Sequence, residues 1–198
     1  SLFALLSVLE QLQFIPDMSA ALQETAQLLI QLRNIYGSAN TSSSNLAMML
    51  ADSLFGKIIA VYSSSGIMEG VAYRWRSQIA ENAKNLAFHH VLPEMNHNEL
   101  VGWMYPEEIL KHVGVVFIRD QGDHPQVQRR FDLTRELIET RAGCVHEVWS
   151  QGDSLMARIL SVVYLGDFVS FYLALLNKVD PMPVQIIDYL KQKLGSST

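Results

Sequence analysis

A dense group of ionisable and amide side chains lies between Tyr73 and Trp103, in the stretch YRWRSQIAENAKNLAFHHVLPEMNHNELVGW. Ionisable groups held beside core residues are where pKa values can be tuned for proton transfer, so this stretch is the first candidate for a site. Its polar members are Arg74, Arg76, Gln78, Glu81, Asn82, Lys84, Glu94, Asn96, His97, Asn98 and Glu99. The apolar members that a core would normally bury are Trp75, Ile79, Leu86, Phe88, Val91 and Leu92.

The first half of this stretch has helical spacing, and a proline interrupts the second half. Arg74, Gln78 and Glu81 are four and three residues apart, which places them on one face of a helix. Pro93 ends regular structure because it fixes its own φ and disfavours helix at the residue before it. The polar turn that follows Pro93 is expected to present His97 outward.

Proton transfer is the chemistry that two of these side chains suit best. A partly desolvated carboxylate has a pKa raised toward neutrality, so Glu81 could act as a general base. Imidazole has the unperturbed pKa closest to working pH, which suits His97 to proton exchange. For Glu81, spacing alone favours the plainer alternative of a helical ion pair with Lys84, worth about 0.2–0.5 kcal/mol. For His97 the alternative is a surface or capping histidine, since NHN sequences suit turns.

Composition limits the class of protein. The chain has 198 residues, of which 49% are hydrophobic and 18% charged, enough for one compact domain with a substantial core. A formal net charge of −5 without a basic run argues against nucleic-acid binding. Cys144 is the only cysteine, so no intrachain disulfide can form and a structural zinc site is not indicated. A chain without disulfides is expected in a reducing, cytoplasmic setting. The chain begins at Ser1 without a signal-peptide pattern, and we expect it to be a fragment.

One apolar segment, Leu155 to Leu176, is long enough to raise the question of a membrane span. Arg158 and Asp167 interrupt it, and glycine and serine dilute it. We therefore predict a buried or subunit-facing helix and no membrane association.

Periodicity predicts alternating helices and strands, with a polar loop at residues 38–44. Besides the helix that carries Glu81, the predicted helices cover residues 2–12, 45–55, 106–112, 126–141, 155–176 and 184–194. A further helix, capped by Asp17 or Ser19, is predicted to run to about Tyr36, and Asp153 or Ser154 is predicted to cap the helix at residues 155–176. The predicted strands are the short apolar runs at residues 57–62 and 113–118 and a further segment at residues 145–149.

This alternation predicts an α/β fold, a three-layer αβα sandwich around a mostly parallel sheet with additional helices at both termini. The chain is predicted to be one domain, residues 1–198, with N-terminal helices to about residue 55 and the α/β core from about residue 56. Ligands bind at the carboxyl ends of the strands in such sheets. Ser63, the turn at residues 96–99 and the loop after Ile118 are expected near that edge.

A serine-rich segment, Ser63-Ser64-Ser65-Gly66, follows the first predicted strand and precedes a helix. In this layout backbone N–H groups can hold a phosphate, which makes Ser63 and Ser65 candidate substrate contacts. A tight β-to-α turn explains the serines as well, and the motif alone favours that alternative.

The segments QIAENAK and PEMNHNELVGW closely resemble the second sugar isomerase (SIS) domain of the bifunctional phosphoglucose/phosphomannose isomerases, relatives of glucose-6-phosphate isomerase. The resemblance extends through most of the chain to the tail LNKVDPMPVQIIDYLKQKL. It implies an SIS-like fold and an enzyme of carbohydrate metabolism, in glycolysis and gluconeogenesis. That enzyme interconverts glucose 6-phosphate and mannose 6-phosphate with fructose 6-phosphate, through ring opening and a cis-enediol, without a cofactor or metal.

The resemblance also implies roles for individual residues. Glu81 takes the position of the catalytic base, and His97 that of the histidine which opens the ring from the neighbouring subunit of a homodimer. Lys178 takes the position of a lysine that assists proton movement, although a cation is also favoured at any helix C-terminus. The candidate substrate-binding residues are Arg74, Gln78, Asn98, Ser63 and Ser65. The remaining histidines, His89, His90, His112, His124 and His146, are expected to be structural.

The serine-rich segment departs from the fuller phosphate loop of the family, because Ile67-Met68-Glu69-Gly70 replaces its continuation. We therefore expect the chain to lack a preceding SIS domain that grips the phosphate. The alternative function is a non-catalytic SIS-type module for sugar-phosphate binding or dimerisation.

Overall fold

The computed structural model describes residues 2–37 and 45–195, so the predicted loop at residues 38–44 lies outside the described residues. The helices are α1 (Leu2–Gln11), α2 (Ser19–Tyr36), α3 (Leu46–Leu54), α4 (Ile67–Ala83), α5 (Glu99–Gly102), α6 (Glu107–Leu110), α7 (Pro125–Ile138), α8 (Leu155–Leu176) and α9 (Gln185–Gly195). The strands are β1 (Ile58–Ser64), β2 (Ala87–Leu92), β3 (Val113–Arg119) and β4 (Cys144–Trp149). A 3₁₀ turn, Glu94–Asn96, follows β2.

These strands form one parallel sheet in the order β2-β1-β3-β4. Alternate residues of each strand point to opposite faces, as the pleat of a strand requires. Ile59 and Val61 of β1 belong to a core shared with α2, α3, α4 and α8, which we call the four-helix face. Tyr62 of β1 and Phe117 of β3 belong to a second core with α7 and the residues after β2, which we call the α7 face. The predicted three-layer αβα sandwich is confirmed.

Helix α8 lies in the centre of the four-helix face and packs against α2, α3 and α4. Its length and composition would allow it to cross a membrane, but 44% of its most apolar window is buried inside the protein. Its packing against three helices agrees with the buried alternative of the prediction, and the subunit-facing alternative stays a prediction. Of the two cap residues that the sequence offers, Asp153 and Ser154, it is Ser154 that caps the N-terminus, accepting a hydrogen bond from the Ala157 N–H at 3.2 Å.

Helix α4 approaches α8 closely where Trp75 meets Gly166. Trp75 is fully buried and its Nε1–H donates to the carbonyl oxygen of Val162 at 2.8 Å. A Cβ atom at Gly166 would lie 2.4 Å from that Nε1, so only glycine allows this approach. This contact fixes α4, and with it the candidate residues that α4 carries.

The sequence analysis did not predict strand β2. Two residues expected in the core, Leu86 directly before β2 and Phe88 within it, are exposed. Leu86 is 58% and Phe88 54% exposed, whereas Leu92 is buried as expected. The physical reason is that β2 is an edge strand, whose side chains are covered on fewer sides than those of β1 and β3.

The two terminal helices are confirmed in position but contribute nothing to either core. None of the described residues of α1 or α9 is buried. Apolar side chains such as Phe3 and Ile186 are therefore left in contact with solvent in the single chain.

Candidate functional site

The C-terminal ends of α4 and α8 meet near the end of the sheet where β1 and β2 begin. Asn177, directly after α8, donates a hydrogen bond of 2.9 Å from Nδ2 to the carbonyl oxygen of Ala83, the last residue of α4. Glu81 lies two residues before Ala83, and Lys178 follows Asn177. The structure therefore joins the chain segments that carry these two candidate catalytic residues.

A cleft of about 690 Å³ opens beside this junction. It lies between the end of α4 and the beginning of α9, and most of its lining is apolar. Its lining residues are Ala80, Glu81, Lys84, Asn85, Leu86, Val179, Asp180, Pro183, Val184, Gln185, Ile186 and Ile187. Lys178 is exposed next to the lining residue Val179.

Glu81 is exposed, so the described residues of its own chain do not supply the desolvation that the sequence analysis expected. The contact between Glu81 and Lys84 also differs from the helical ion pair that their spacing favours. Lys84 donates from Nζ to the main-chain carbonyl oxygen of Glu81 at 2.6 Å, rather than to its carboxylate. Glu81 thus lines the cleft, while the Lys84 ammonium is engaged by the backbone.

His97 lies directly after the 3₁₀ turn and is exposed, as predicted. The turn is attached to the α7 face on both sides of His97. Before it, Met95 is buried and Asn96 donates from Nδ2 to Thr134 Oγ1 of α7 at 2.7 Å. After it, the buried hydroxyl of Tyr62 on β1 donates to the Glu99 carboxylate. The exposed imidazole therefore projects from an anchored turn.

Two further contacts hold this turn. Trp103 donates from Nε1 to the Tyr62 oxygen at 3.3 Å, and burial together with the charge of Glu99 raises the pKa of Tyr62 above its usual range. The Asn98 side chain accepts from the Glu99 N–H and donates to Glu94 at 3.1 Å. Asn98, a predicted substrate contact, is therefore already engaged within the turn.

Glu81 and His97 of one chain lie on opposite faces of the sheet. Glu81 belongs to α4, which packs on the four-helix face, whereas the turn before His97 packs on the α7 face through Met95. Glu81 also precedes the amino end of β2, and His97 follows its carboxyl end. The sheet stands between them, so the two side chains of one chain do not share a site.

Arg74 and Gln78 share a helix face, as their spacing predicts, and both bind one residue of α8. Arg74 Nη2 and Gln78 Nε2 each donate to Asp167 Oδ1 at 3.0 Å. This pairing adds a second polar connection between α4 and α8. A role of Arg74 and Gln78 in substrate binding remains a prediction.

The serine-rich segment forms a tight strand-to-helix turn. Ser63 is buried in β1, and its hydroxyl donates to the Ser64 carbonyl oxygen at 3.1 Å. Ser65 is exposed, and Gly66 has a φ of +94°, which favours glycine. The segment lies at the carboxyl edge of the sheet, as expected, and of the two predicted phosphate contacts only Ser65 is open to solvent.

Sequence reasoning missed several residues that hold the site together, among them Tyr62, Asp167 and Asn177. Tyr62 stands inside an apolar strand, and Asp167 and Asn177 make contacts that only the packing of α8 on α4 creates. Lys84 could have been found from the sequence, because it belongs to the segment QIAENAK. Among residues 2–37 and 45–195, no three His, Cys, Asp or Glu side chains converge as metal ligands would.

Comparison with known proteins places this geometry in a family. The profile of the bacterial phospho-glucose isomerase C-terminal SIS domain matches residues 43–194. A bifunctional phosphoglucose/phosphomannose isomerase of Caldicellulosiruptor bescii is 40% identical over 195 residues, covering 98% of this chain and 58% of that protein. One of Aquifex aeolicus is 39% identical over 145 residues, covering 73% of this chain and 45% of that protein. The chain thus spans about half the length of these relatives.

A solved structure supports the same fold. A glucose-6-phosphate isomerase-like protein of Thermus thermophilus superimposes with a TM-score of 0.70, at 22% identity, over 88% of this chain and 56% of that one. The C-terminal domain of a glucosamine-fructose-6-phosphate aminotransferase of Francisella tularensis gives a TM-score of 0.53 at 13% identity, covering 78% of this chain and 45% of that one. From the profile match and the 40% identity, the chain belongs to the family of bacterial phosphoglucose isomerase C-terminal SIS domains.

Proposed function

We propose that the chain is the SIS portion of an aldose–ketose isomerase that interconverts glucose 6-phosphate and mannose 6-phosphate with fructose 6-phosphate. Membership of the family and the names of the bifunctional relatives support this proposal. The structural observation that supports it is the hydrogen bond that joins the end of α4, which carries Glu81, to the segment before Lys178, beside a cleft that Glu81 lines.

The proposed reaction begins with ring opening. His97, assisted by Lys178, moves a proton from the anomeric hydroxyl to the ring oxygen, which breaks the bond between that oxygen and C1. Glu81 then takes the proton from C2 of the open aldose, giving the cis-enediol, and returns it to C1 while a hydroxyl proton moves from O2 to O1. A base that serves either face of C2 accounts for both the gluco and manno substrates.

The proposed site is composite. Because the sheet separates Glu81 from His97 within one chain, a site that uses both takes His97 from a second copy. A second chain over the cleft would also remove water from the exposed Glu81 carboxylate, raising its basicity in the way that proton abstraction from carbon requires. A homodimer in the cytoplasm is therefore part of the proposal.

The test is Glu81→Gln in the full-length enzyme, assayed from fructose 6-phosphate by coupling the glucose 6-phosphate formed to its oxidation. We expect a loss of about 10²-fold or more in kcat, with fructose 6-phosphate binding retained in calorimetry. Glu108→Gln is the matched control, because Glu108 is an exposed carboxylate that pairs with Lys111 away from the cleft. Activity of Glu81→Gln equal to that of Glu108→Gln would reject Glu81 as the base.

A second candidate function is a non-catalytic SIS-type module that binds sugar phosphate or mediates dimerisation. The exposure of Glu81 in the single chain and the 58% coverage of the Caldicellulosiruptor relative favour it for the 198 residues taken alone. Assaying this chain beside the full-length product separates the two functions. Binding without turnover in both proteins would support the module.

A further inference from the structure

We propose that Lys84 is a positioning residue, which ties the Glu81 end of α4 to the segment after Lys178 and so fixes the two candidate catalytic groups relative to each other. This inference rests on the proposed function for its catalytic consequence. Its structural part, a lysine tie between two chain segments, stands on the contacts described below.

The backbone of Lys84 is the first argument. Lys84 is the C-cap of α4 and has a φ of +54°, in the left-handed region. Its N–H closes the helix by donating to the Ile79 carbonyl oxygen. Glycine adopts this conformation with less strain than any residue that carries a Cβ atom, and it is the usual residue at such a helix end. A lysine here indicates that its side chain contributes something that glycine would lose.

The ammonium group supplies that contribution. Lys84 Nζ lies 2.6 Å from the carbonyl oxygen of Glu81 and 3.3 Å from that of Pro181. The Glu81 carbonyl belongs to the last turn of α4, and Pro181 lies three residues after Lys178. Carbonyl oxygens at helix C-termini carry partial negative charge that attracts a cation. One ammonium therefore bridges the segment of the candidate base and the segment of the candidate lysine.

A second hydrogen bond joins the same two segments. Asn177 Nδ2 donates to the Ala83 carbonyl oxygen at 2.9 Å, so the connection is made once before Lys178 and once after it. Lys178 itself has a φ of +56°, so both lysines hold left-handed conformations at neighbouring helix ends. Such conformations persist where the surrounding contacts enforce them, and they cluster at functional sites. The two ties together hold the end of α4, where Glu81 lines the cleft, against the segment that contains Lys178.

Lys84 acts through these carbonyl groups rather than on the substrate. Two of its three N–H donors are engaged by backbone oxygens of its own chain. The expected consequence of removing the ammonium is a displaced carboxylate rather than a lost proton donor. Misplacement of a catalytic group lowers kcat, while the affinity for the phosphorylated sugar is little changed.

The experiment compares Lys84→Met, Lys84→Arg and the control Lys111→Met in the full-length enzyme. Lys111 is an exposed lysine that pairs with Glu108 away from the cleft. We expect Lys84→Met to lower kcat by about tenfold or more with KM within about twofold, and Lys84→Arg to recover most of the loss. Lys111→Met should match the wild type. The pH profile of kcat should keep both limbs in Lys84→Met, because a positioning residue does not itself titrate in the reaction.

The connection that Lys84 makes between the two chain segments can also be measured without an activity assay. Amide hydrogen exchange should accelerate in Lys84→Met at residues 80–86 and 178–183 together, and in neither segment in Glu81→Gln. Unchanged exchange in residues 178–183 would overturn the inference, whatever the activity. A Lys84→Met enzyme with wild-type kcat, or one that loses a limb of the pH profile, would also overturn it. Activity retained in Glu81→Gln would instead reject the proposed function and leave the exchange result to decide on the tie.

Discussion

The Tyr62 hydroxyl donates a hydrogen bond to the Glu99 carboxylate, and this contact joins the buried part of β1 to the turn that carries His97. Tyr62 is 1% exposed, and its ring also contacts Phe117 of β3 at a centroid distance of 5.7 Å. The exposed imidazole is thus attached to the sheet through two residues. The geometry of the turn therefore depends on a buried tyrosine that has no direct part in proton transfer.

Replacing Tyr62 by phenylalanine should destabilise the protein. The substitution preserves the ring packing but leaves the half-buried Glu99 carboxylate without its donor, at an expected cost of about 1–3 kcal/mol in the free energy of unfolding. Urea titration followed by circular dichroism measures this loss. Tyr105→Phe is the matched control, because Tyr105 is 71% exposed. Equal midpoints and slopes for the two variants would show that the Glu99 contact contributes nothing to stability.

The close approach at Gly166 gives a second prediction about stability. Gly166→Ala places a Cβ atom 2.4 Å from Trp75 Nε1, so the helices must separate and the hydrogen bond to Val162 is strained. We expect a loss of about 1–3 kcal/mol, typical of overpacking. Gly70→Ala in α4 is the control, because its Cβ would meet nothing within 4 Å, and alanine should add about 0.5–1 kcal/mol of stability there. A Gly166→Ala protein as stable as Gly70→Ala would contradict the packing described for Trp75.

His146 should make the protein less stable in mild acid. Burial, assisted by the positive charges of Lys57 and Arg135, lowers the pKa of His146 below its ordinary value of 6.5. The folded state therefore binds this proton less readily than the unfolded state. The stability that His146 contributes is present above pH 6.5 and is lost as the pH falls through the lowered pKa.

The measurement compares the free energy of unfolding at neutral pH and in mild acid for the wild type and His146→Gln. Glutamine can still bond to Ser53 Oγ, which lies 2.7 Å from His146 Nε2, but it does not titrate. The wild type should lose more stability on acidification than the variant. His112→Gln serves as the control on an exposed histidine. A wild-type loss no larger than that of His146→Gln would contradict the expected direction.

The composite site predicts complementation between two inactive variants. Full-length Glu81→Gln and His97→Ala should each be inactive as homodimers, because each removes a group from both sites. In a random mixture of subunits, half of the dimers are mixed, and each has one site with both native groups, so about a quarter of wild-type activity should return. Dissociating and reassociating the two purified proteins together, with each one treated alone as the control, measures this recovery. A mixture as inactive as its components would exclude exchange of His97 between subunits.

Three of the four described strands could be predicted from the sequence, each within one or two residues of its observed ends. Strands β1 and β3 are apolar runs, and β4 lies between Gly143 and the cap of α8. Strand β2, with the sequence AFHHVL, contains two adjacent histidines and is buried only at Ala87 and Leu92. Hydrophobic periodicity identifies a strand by a continuous apolar run or a strict alternation, and β2 shows neither pattern.

The candidate site could be predicted only in part. The sequence identifies Glu81, His97 and Lys178 by motif, but the meeting of the chain segments that carry Glu81 and Lys178 depends on the path of α8. This helix follows the last described strand, β4, and returns across the four-helix face to reach α4. No local pattern in the sequence specifies that return. The Asn177–Ala83 hydrogen bond joins residues 94 positions apart and becomes visible only in the folded chain.

The position of the sheet between Glu81 and His97 has a consequence for how such an enzyme would behave on dilution. Under the proposed function a single subunit contains both Glu81 and His97, but it holds them in different places and cannot form a complete site. The turnover per molecule therefore follows the fraction of chains that are associated as dimers. Specific activity would then fall as the enzyme concentration drops below the dissociation constant of the dimer, and abundance itself would set the output of each subunit.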